Sequence, residues 1–361
     1  MKIPEMKFWL GLPVILGFCL FMTAPSGAAA ASWENDVPRY TEARVSVKRD
    51  GPKLLFSDSP ENVTDCGVMY RDTVQGPVRL FFHHVNETSV NRRLAVVLRR
   101  TTARAVKVTQ KETGISRPRR DWLLAGKEAQ ERYYRPDQKP DSFRLTKLVD
   151  LLEDKEKPTV VRPGDLVTGI VDLDFDRPVE VSVMMLPVKT DLSLAMDAYG
   201  ILPPDHDGEH ILRGTFEAAD RHVTLDQPFH TSGHAIWGIK LADDDLDPYA
   251  RGVDATTGQP VVNYGNYGIL YDLTLPTQGR HDTVIRFNPM GGTYAGAGIL
   301  SISGKADQQL RIPAGRTAFG DVGYDWVTEV IGEIPANQTA VLHFSPPGSS
   351  NLPVRIFLER K

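Results

Sequence analysis

Apolar residues recur at every second position along much of this chain, and that period limits what the chain can fold into. Val78, Leu80 and Phe82 alternate with Arg79, Phe81 and His83, and Leu94, Val96 and Leu98 repeat the pattern. A period of two puts alternate side chains on opposite faces of an extended strand. Val167, Val171, Leu173 and Phe175 share a face against Thr168, Asp172 and Asp174. Val179, Val181, Val183 and Met185 follow Asp176-Arg177-Pro178, the spacing of a hairpin. Ile269, Tyr271, Leu273 and Leu275, then Val354, Ile356 and Leu358, carry the pattern to the C-terminus. Glycine and proline fall between these runs, as short strands require. The predicted class is all-β with minor α: two β-sandwich domains, with one or two short helices in the first.

Helical period is rare. Asp121 precedes WLLAGKEAQERYY, where Trp122, Ala125, Ala129 and Tyr133 repeat near 3.6 residues, predicting a capped helix over 121–134. Gly126 in its middle costs about 1 kcal/mol against alanine. Leu145, Leu148, Val149 and Leu152 predict a second short helix. Periodicity breaks between Pro187 and Asp207, which divides the chain into domains at 31–195 and 196–361. Charge follows the same division: residues 88–135 hold thirteen Lys and Arg against four Asp and Glu, whereas Asp243, Asp244, Asp245 and Asp247 cluster in the second part.

Residues 1–30 have the grammar of a secretory signal peptide. Lys2 and Lys7 precede the apolar run Phe8–Met22, and Ala28 to Ala31 offer small residues for cleavage after Ala30. The run is shorter than the ~20 residues a spanning helix needs. A secreted or extracytoplasmic, cell-envelope location is therefore expected, with no integral membrane domain after cleavage. Cleavage would remove Cys19 and leave Cys66, which reads as a small buried hydrophobe. Hydrophobic residues at 41% and charged residues at 24% exclude a disordered chain, and a net charge of -4 excludes one built around nucleic acid.

Three constellations could carry function. Five of the nine histidines lie between 206 and 234, interleaved at first with acids: Asp205, His206, Asp207, His210, then His222, His230 and His234. Imidazole and carboxylate are zinc ligands, and carboxylates bind calcium. On a strand, however, residues four apart sit ~13 Å from each other, so only a folded-back loop could bring Asp205, His206, Asp207, His210, His230 and His234 together. Solvated loop residues are the simpler reading, with no cofactor required. The second constellation is basic: Arg92, Arg93, Arg119 and Arg120, with neighbouring arginines and lysines, could meet an anionic envelope polymer. The third is aromatic. Tyr264, Tyr267, Tyr294, Tyr324 and Trp326 stand in glycine-rich turns, where rings at loop tips would suit the apolar faces of sugars.

No G-x-S-x-G elbow, P-loop or H-E-x-x-H motif occurs. Several strings, namely Leu80 to Val97, Asp121 to Lys127, Arg213 to Phe216, Asn263 to Tyr271 and Asn288 to Gly292, resemble an uncharacterised family of secreted bacterial β-rich proteins. Some members of that family are linked to copper-amine-oxidase-like N-terminal stalk domains. The resemblance implies secretion and β architecture. The stalk itself is missing from this chain, so neither copper nor amine oxidation is implied.

The expectation is thus an exported envelope module, binding or structural and without catalysis. Its partner would be a cell-wall or surface polysaccharide, or another envelope protein. A glycan-binding role for the loop aromatics and a metal-assisted hydrolase built on His206–His234 are the alternatives.

Overall fold

The two longest alternating runs become the two longest strands, Gly67–Asn86 and Leu166–Pro187, in a computed structural model that describes residues 39–205, 210–319 and 328–361. They pair antiparallel from Leu166 opposite Val85 to Met185 opposite Gly67. The expected hairpin at Asp176-Arg177-Pro178 does not form. Phe175 faces Gly76 and Val179 faces Val74, so these three residues are a bulge inside one strand. A bulge leaves its residues out of the ladder, where proline's missing N–H costs little. The continuous partner strand decides the outcome, because both halves of Leu166–Pro187 find their bonds on it.

A 12-stranded sheet grows around this pair, its main path running Thr159–Val161, Arg92–Arg100, Leu166–Pro187, Gly67–Asn86, Lys53–Ser57, Arg213–Phe216, Ala250–Asp254, Gln259–Asn263. Pairing crosses residues 195/196: Arg213–Phe216 bonds to Lys53–Ser57, and the described residues group as one compact unit. Two smaller sheets, of five and seven strands, complete the all-β architecture. Ile285, Phe287, Ile356 and Leu358 of the first and Tyr271, Leu273, Leu300 and Phe344 of the second share one apolar core. Asp272 and His343, at alternating positions, therefore lie on the outer face of the seven-stranded sheet.

Helix α1 spans Trp122–Tyr133, with the Asp121 side chain accepting from the Leu124 N–H at 2.9 Å. Its Gly126 is needed where it stands, because a Cβ there would collide with the Gly348 carbonyl. The helix expected over 145–152 is absent. Asp141–Leu145 and Leu148–Asp150 are strands, the latter pairing with the Arg92–Arg100 strand, and Asp150 accepts from the Val96 and Leu152 N–H groups. A short helical period is a weak preference, and an adjacent sheet edge overrides it. The second helix, α2, is Leu192–Ala198, capped by Asp191. Cys66 is half-buried rather than a core residue. It sits in the turn before the Gly67–Asn86 strand, its N–H donating to the Asp65 carboxylate, and burial pushes its thiol up.

The two faces of Gly67–Asn86 serve different cores. Val78, Leu80 and Phe82 join Val96, Leu98, Val171 and Leu173. Phe81 turns instead to the core containing Tyr271 and Phe344. Arg79 and His83 share the face of Phe81, so two polar side chains enter a covered interface where each needs a partner. No helix among the described residues is long and apolar enough to cross a membrane.

Candidate functional site

Strand Lys53–Ser57 runs on into Asp58-Ser59-Pro60-Glu61, beside the His83-His84 end of its neighbour. His84 is held from both sides: one ring nitrogen, Nδ1, lies 2.9 Å from the Pro60 carbonyl and the other, Nε2, 2.9 Å from Ser57 Oγ. A carbonyl can only accept, so Nδ1 carries the proton and Nε2 accepts from the serine. His83 Nε2 lies 3.3 Å from Ser349 Oγ and 3.8 Å from Glu61 Oε1. Its Nδ1 is buried beneath Gly348 without a partner among the described residues, and so is Asp58 Oδ1.

Asp205 joins this group by a reciprocal clasp. Its carboxylate accepts from Ser59 Oγ at 3.1 Å and from the Glu61 N–H at 2.9 Å, while its own N–H donates to Ser59 Oγ at 3.1 Å. Arg213 braces the same corner, donating to Asp254 and to the Leu202, Met69 and Ser59 carbonyls.

The electrostatics follow from burial. Burial lowers His83 to about 3 and His84 to about 4, so both rings are neutral at physiological pH. Burial raises Asp58 well above the usual carboxylate range, with Glu61 and Asp205 adding repulsion. Glu61 rises for the same two reasons, burial and then Asp205. The floor of the site combines two neutral imidazoles with carboxyls that burial pushes toward protonation.

Two sequence constellations meet here. His210 packs edge-on against Tyr264 with centroids 4.3 Å apart, and Tyr249 lies 5.7 Å from Tyr264. Gly265 and Asn266, both at positive φ, make the turn that follows the Tyr264 ring. Tyr267 points inward instead, packing against Phe56 and Phe81 and donating to the Ser350 carbonyl at 2.7 Å. Burial pushes its hydroxyl up, with Asp58, Glu61 and Tyr249 adding to the shift. Because Ser349, next to Ser350, lies 3.3 Å from His83 Nε2, this ring and the Ser349-Ser350 segment join the histidine end to the tyrosine turn.

Other expected site residues lie elsewhere. Tyr294 is fully buried against Phe287 and Phe344, an interior ring and not a loop-tip one. His230 and His234 are exposed on and beside the short strand Phe229–His230, which pairs with the end of Leu270–Gln278. Among the described residues no group of three or more His, Cys, Asp or Glu is arranged to hold a metal ion. The four arginines are each held locally: Arg92 by Thr88, Arg93 by Asp150 and Glu153, Arg119 by Glu128 and Arg120 by the Pro163 carbonyl. His206, Asp207, Tyr324 and Trp326, like the export segment, lie outside the described residues.

Asp58, Glu61, His83, His84 and Tyr249 escaped the sequence reading. The available signal was Phe81-Phe82-His83-His84, two imidazoles ending an apolar strand, since a buried polar side chain must find a partner.

No protein-family model and no curated protein matches the chain. Among solved structures, the CUB1-EGF-CUB2 region of human MASP-1/3 aligns at 10% identity over 81% of this chain and 99% of that one, with a TM-score of 0.20. The same region of rat MASP-1 gives 8%, 82%, 99% and 0.19. The tandem CBM22 domains of Paenibacillus barcinonensis Xyn10C give 10% identity over 88% of this chain and 92% of that one, with a TM-score of 0.15. Scores this low carry no argument about function, so the reading rests on the chain's own geometry.

Proposed function

We propose that the chain is an exported, non-catalytic binding module that recognises a neutral, hydroxyl-rich ligand, a cell-wall or surface polysaccharide, at the Asp58–His83–Tyr264 site. The observation that carries this reading is a floor of neutral imidazoles and upward-shifted carboxyls joined through Ser349-Ser350 and Tyr267 to the turn that carries the half-buried rings of Tyr249 and Tyr264. A sugar presents hydroxyls that donate and accept at its edge and C–H groups on its face. Carboxyls that burial pushes toward protonation meet the first, and a tyrosine ring meets the second. Export is inferred from Lys2, Lys7, the Phe8–Met22 run and the alanines that follow.

The test is co-sedimentation of the mature chain with insoluble cell-wall polysaccharide at low and high salt. Pelleting is expected to survive high salt, because the contacts are uncharged. Tyr264→Ala should weaken it about tenfold, the equivalent of ~1.4 kcal/mol from one ring. Pelleting abolished by salt would shift the role to the arginines. Equal pelleting by Tyr264→Ala would remove this site.

A further inference from the structure

A second polar region lies between the C-terminal end of α1 and the outer face of the seven-stranded sheet. It is a cleft of about 360 Å³, lined among others by Glu112, Asp172, Asp272, Asp307, His343 and Tyr134. Three adjacent strands build its wall: His222 lies opposite Asp272, and Asp272 opposite His343. Asp272 stands between the two imidazoles, 2.6 Å from His343 Nδ1 and 3.2 Å from His222 Nδ1, and the other nitrogen of His222 is engaged by Asp50 at 2.7 Å. Arg79, buried behind the cleft, donates twice to Asp172 and once to Asp220.

Acceptors dominate the hydrogen-bonding groups that line this cleft, with the Arg135 guanidinium and the Tyr134 hydroxyl as donors beside them. Carboxylates only accept. His343 gives its Nδ1 proton to Asp272, and in the neutral ring its other nitrogen presents a lone pair. Asp307 receives the Ser301 hydroxyl at 2.7 Å and keeps further lone pairs. Four carboxylates line the cleft, and Arg135 is the Lys or Arg that lines it among the described residues. Asp220, just behind, is raised by burial against the pull of Arg79, with Asp172 and Asp272 adding a smaller repulsion. A separate observation points to a missing occupant. Tyr134 is 4% exposed, lines the cleft, and its hydroxyl has no partner among the described residues; burial pushes that hydroxyl up against the pull of Arg79, with Asp272, Asp172 and Asp220 adding to the rise.

We infer that this cleft binds a small organic cation through an ammonium group, as carried by an amino sugar or a diamine. Its N–H donors would be shared among Asp272, Asp307 and the free nitrogen of His343, with the Tyr134 hydroxyl completing the set. The volume suits a ligand of monosaccharide size. This site is separate from the Tyr264 site and does not depend on the reading given to it.

Calorimetric titration of the full mature chain tests the inference, with glucosamine and putrescine as probes and glucose and N-acetylglucosamine as neutral controls. Both cations are expected to bind, and the neutral sugars to bind at least tenfold more weakly here. Binding by glucosamine alone would identify the amino-sugar source, and binding by putrescine alone the diamine. The double variant Glu112→Gln/Asp307→Asn, altered at two exposed side chains, should lose about tenfold in affinity at an unchanged melting temperature. Tyr134→Phe should lose a few-fold, also without a change in melting. Tyr264→Ala should bind the cations as the parent does, which keeps the two sites distinguishable. Absence of heat with both cations, equal binding of glucosamine and N-acetylglucosamine by the Tyr264→Ala variant, or undiminished affinity in the double variant would overturn the inference.

Discussion

Arg79 and His83 stand on the same face of one strand, four residues apart, and they mark two regions that treat buried polarity in opposite ways. At the His83 end, burial discharges the groups: imidazoles fall to about 3 and 4, and Asp58 is pushed toward its protonated form. At the Arg79 end, charge is kept and compensated. One guanidinium is shared between Asp172 and Asp220, while Asp272 is clasped by two histidines. The difference follows from access to a counter-charge. Glu61 and Asp205 are themselves acidic and raise Asp58 further, and the Arg213 guanidinium at that corner is taken up by Asp254, whereas in the second cluster Arg79 is shared directly between two of the cluster's own carboxylates. On the two proposals, the first floor would take hydroxyls and the second, acidic wall would take N–H cations.

The contrast can be broken from the charged side first. Arg79→Leu leaves Asp172 and Asp220 without their shared cation in a mostly covered place. Breaking such a pair by removing one partner costs about 3–5 kcal/mol, and the partial exposure of both aspartates, 15% and 22%, puts this case near the lower figure. Urea unfolding should show it, and a loss below ~1 kcal/mol would mean that the carboxylates are solvated already. The neutral side answers to sterics. Gly348→Ala would drive a Cβ into His83 Nδ1 and crowd Thr168 Oγ1, at an expected cost of about 2 kcal/mol by the same measurement. An unchanged midpoint would show that the loop over His83 yields freely, and that the neutral floor is not enforced from above.

Much of the architecture was readable from alternation alone, because a strand buried on one face or both leaves a period-two record. Val78, Leu80 and Phe82 went where the pattern sends them. Two errors came from elements whose fate is set by a neighbour. Asp176-Arg177-Pro178 has the composition of a turn, yet it is a bulge because a single strand runs past both halves. Residues 145–152 have a short helical period, yet they pair with an available edge. The sites were less legible. The first joins residues 58, 61, 83, 205, 210 and 264, and the second joins 79, 172, 220, 272 and 343. Sequence spacing has no bearing on such convergence. Tyr294 shows the converse: a tyrosine between glycines looked like a loop-tip ring, and the fold closes over it.

The claim that one region is electrically neutral and the other is not can be tested by following the ring resonances of His83 and His84 by NMR during an acid titration. Both should keep the neutral form from pH 8 down to about pH 5, with His84 titrating near 4 and His83 lower still. A midpoint close to 6.5 for either ring would mean that water or a counter-charge reaches it, and the account of a discharged, hydroxyl-selecting floor would be wrong.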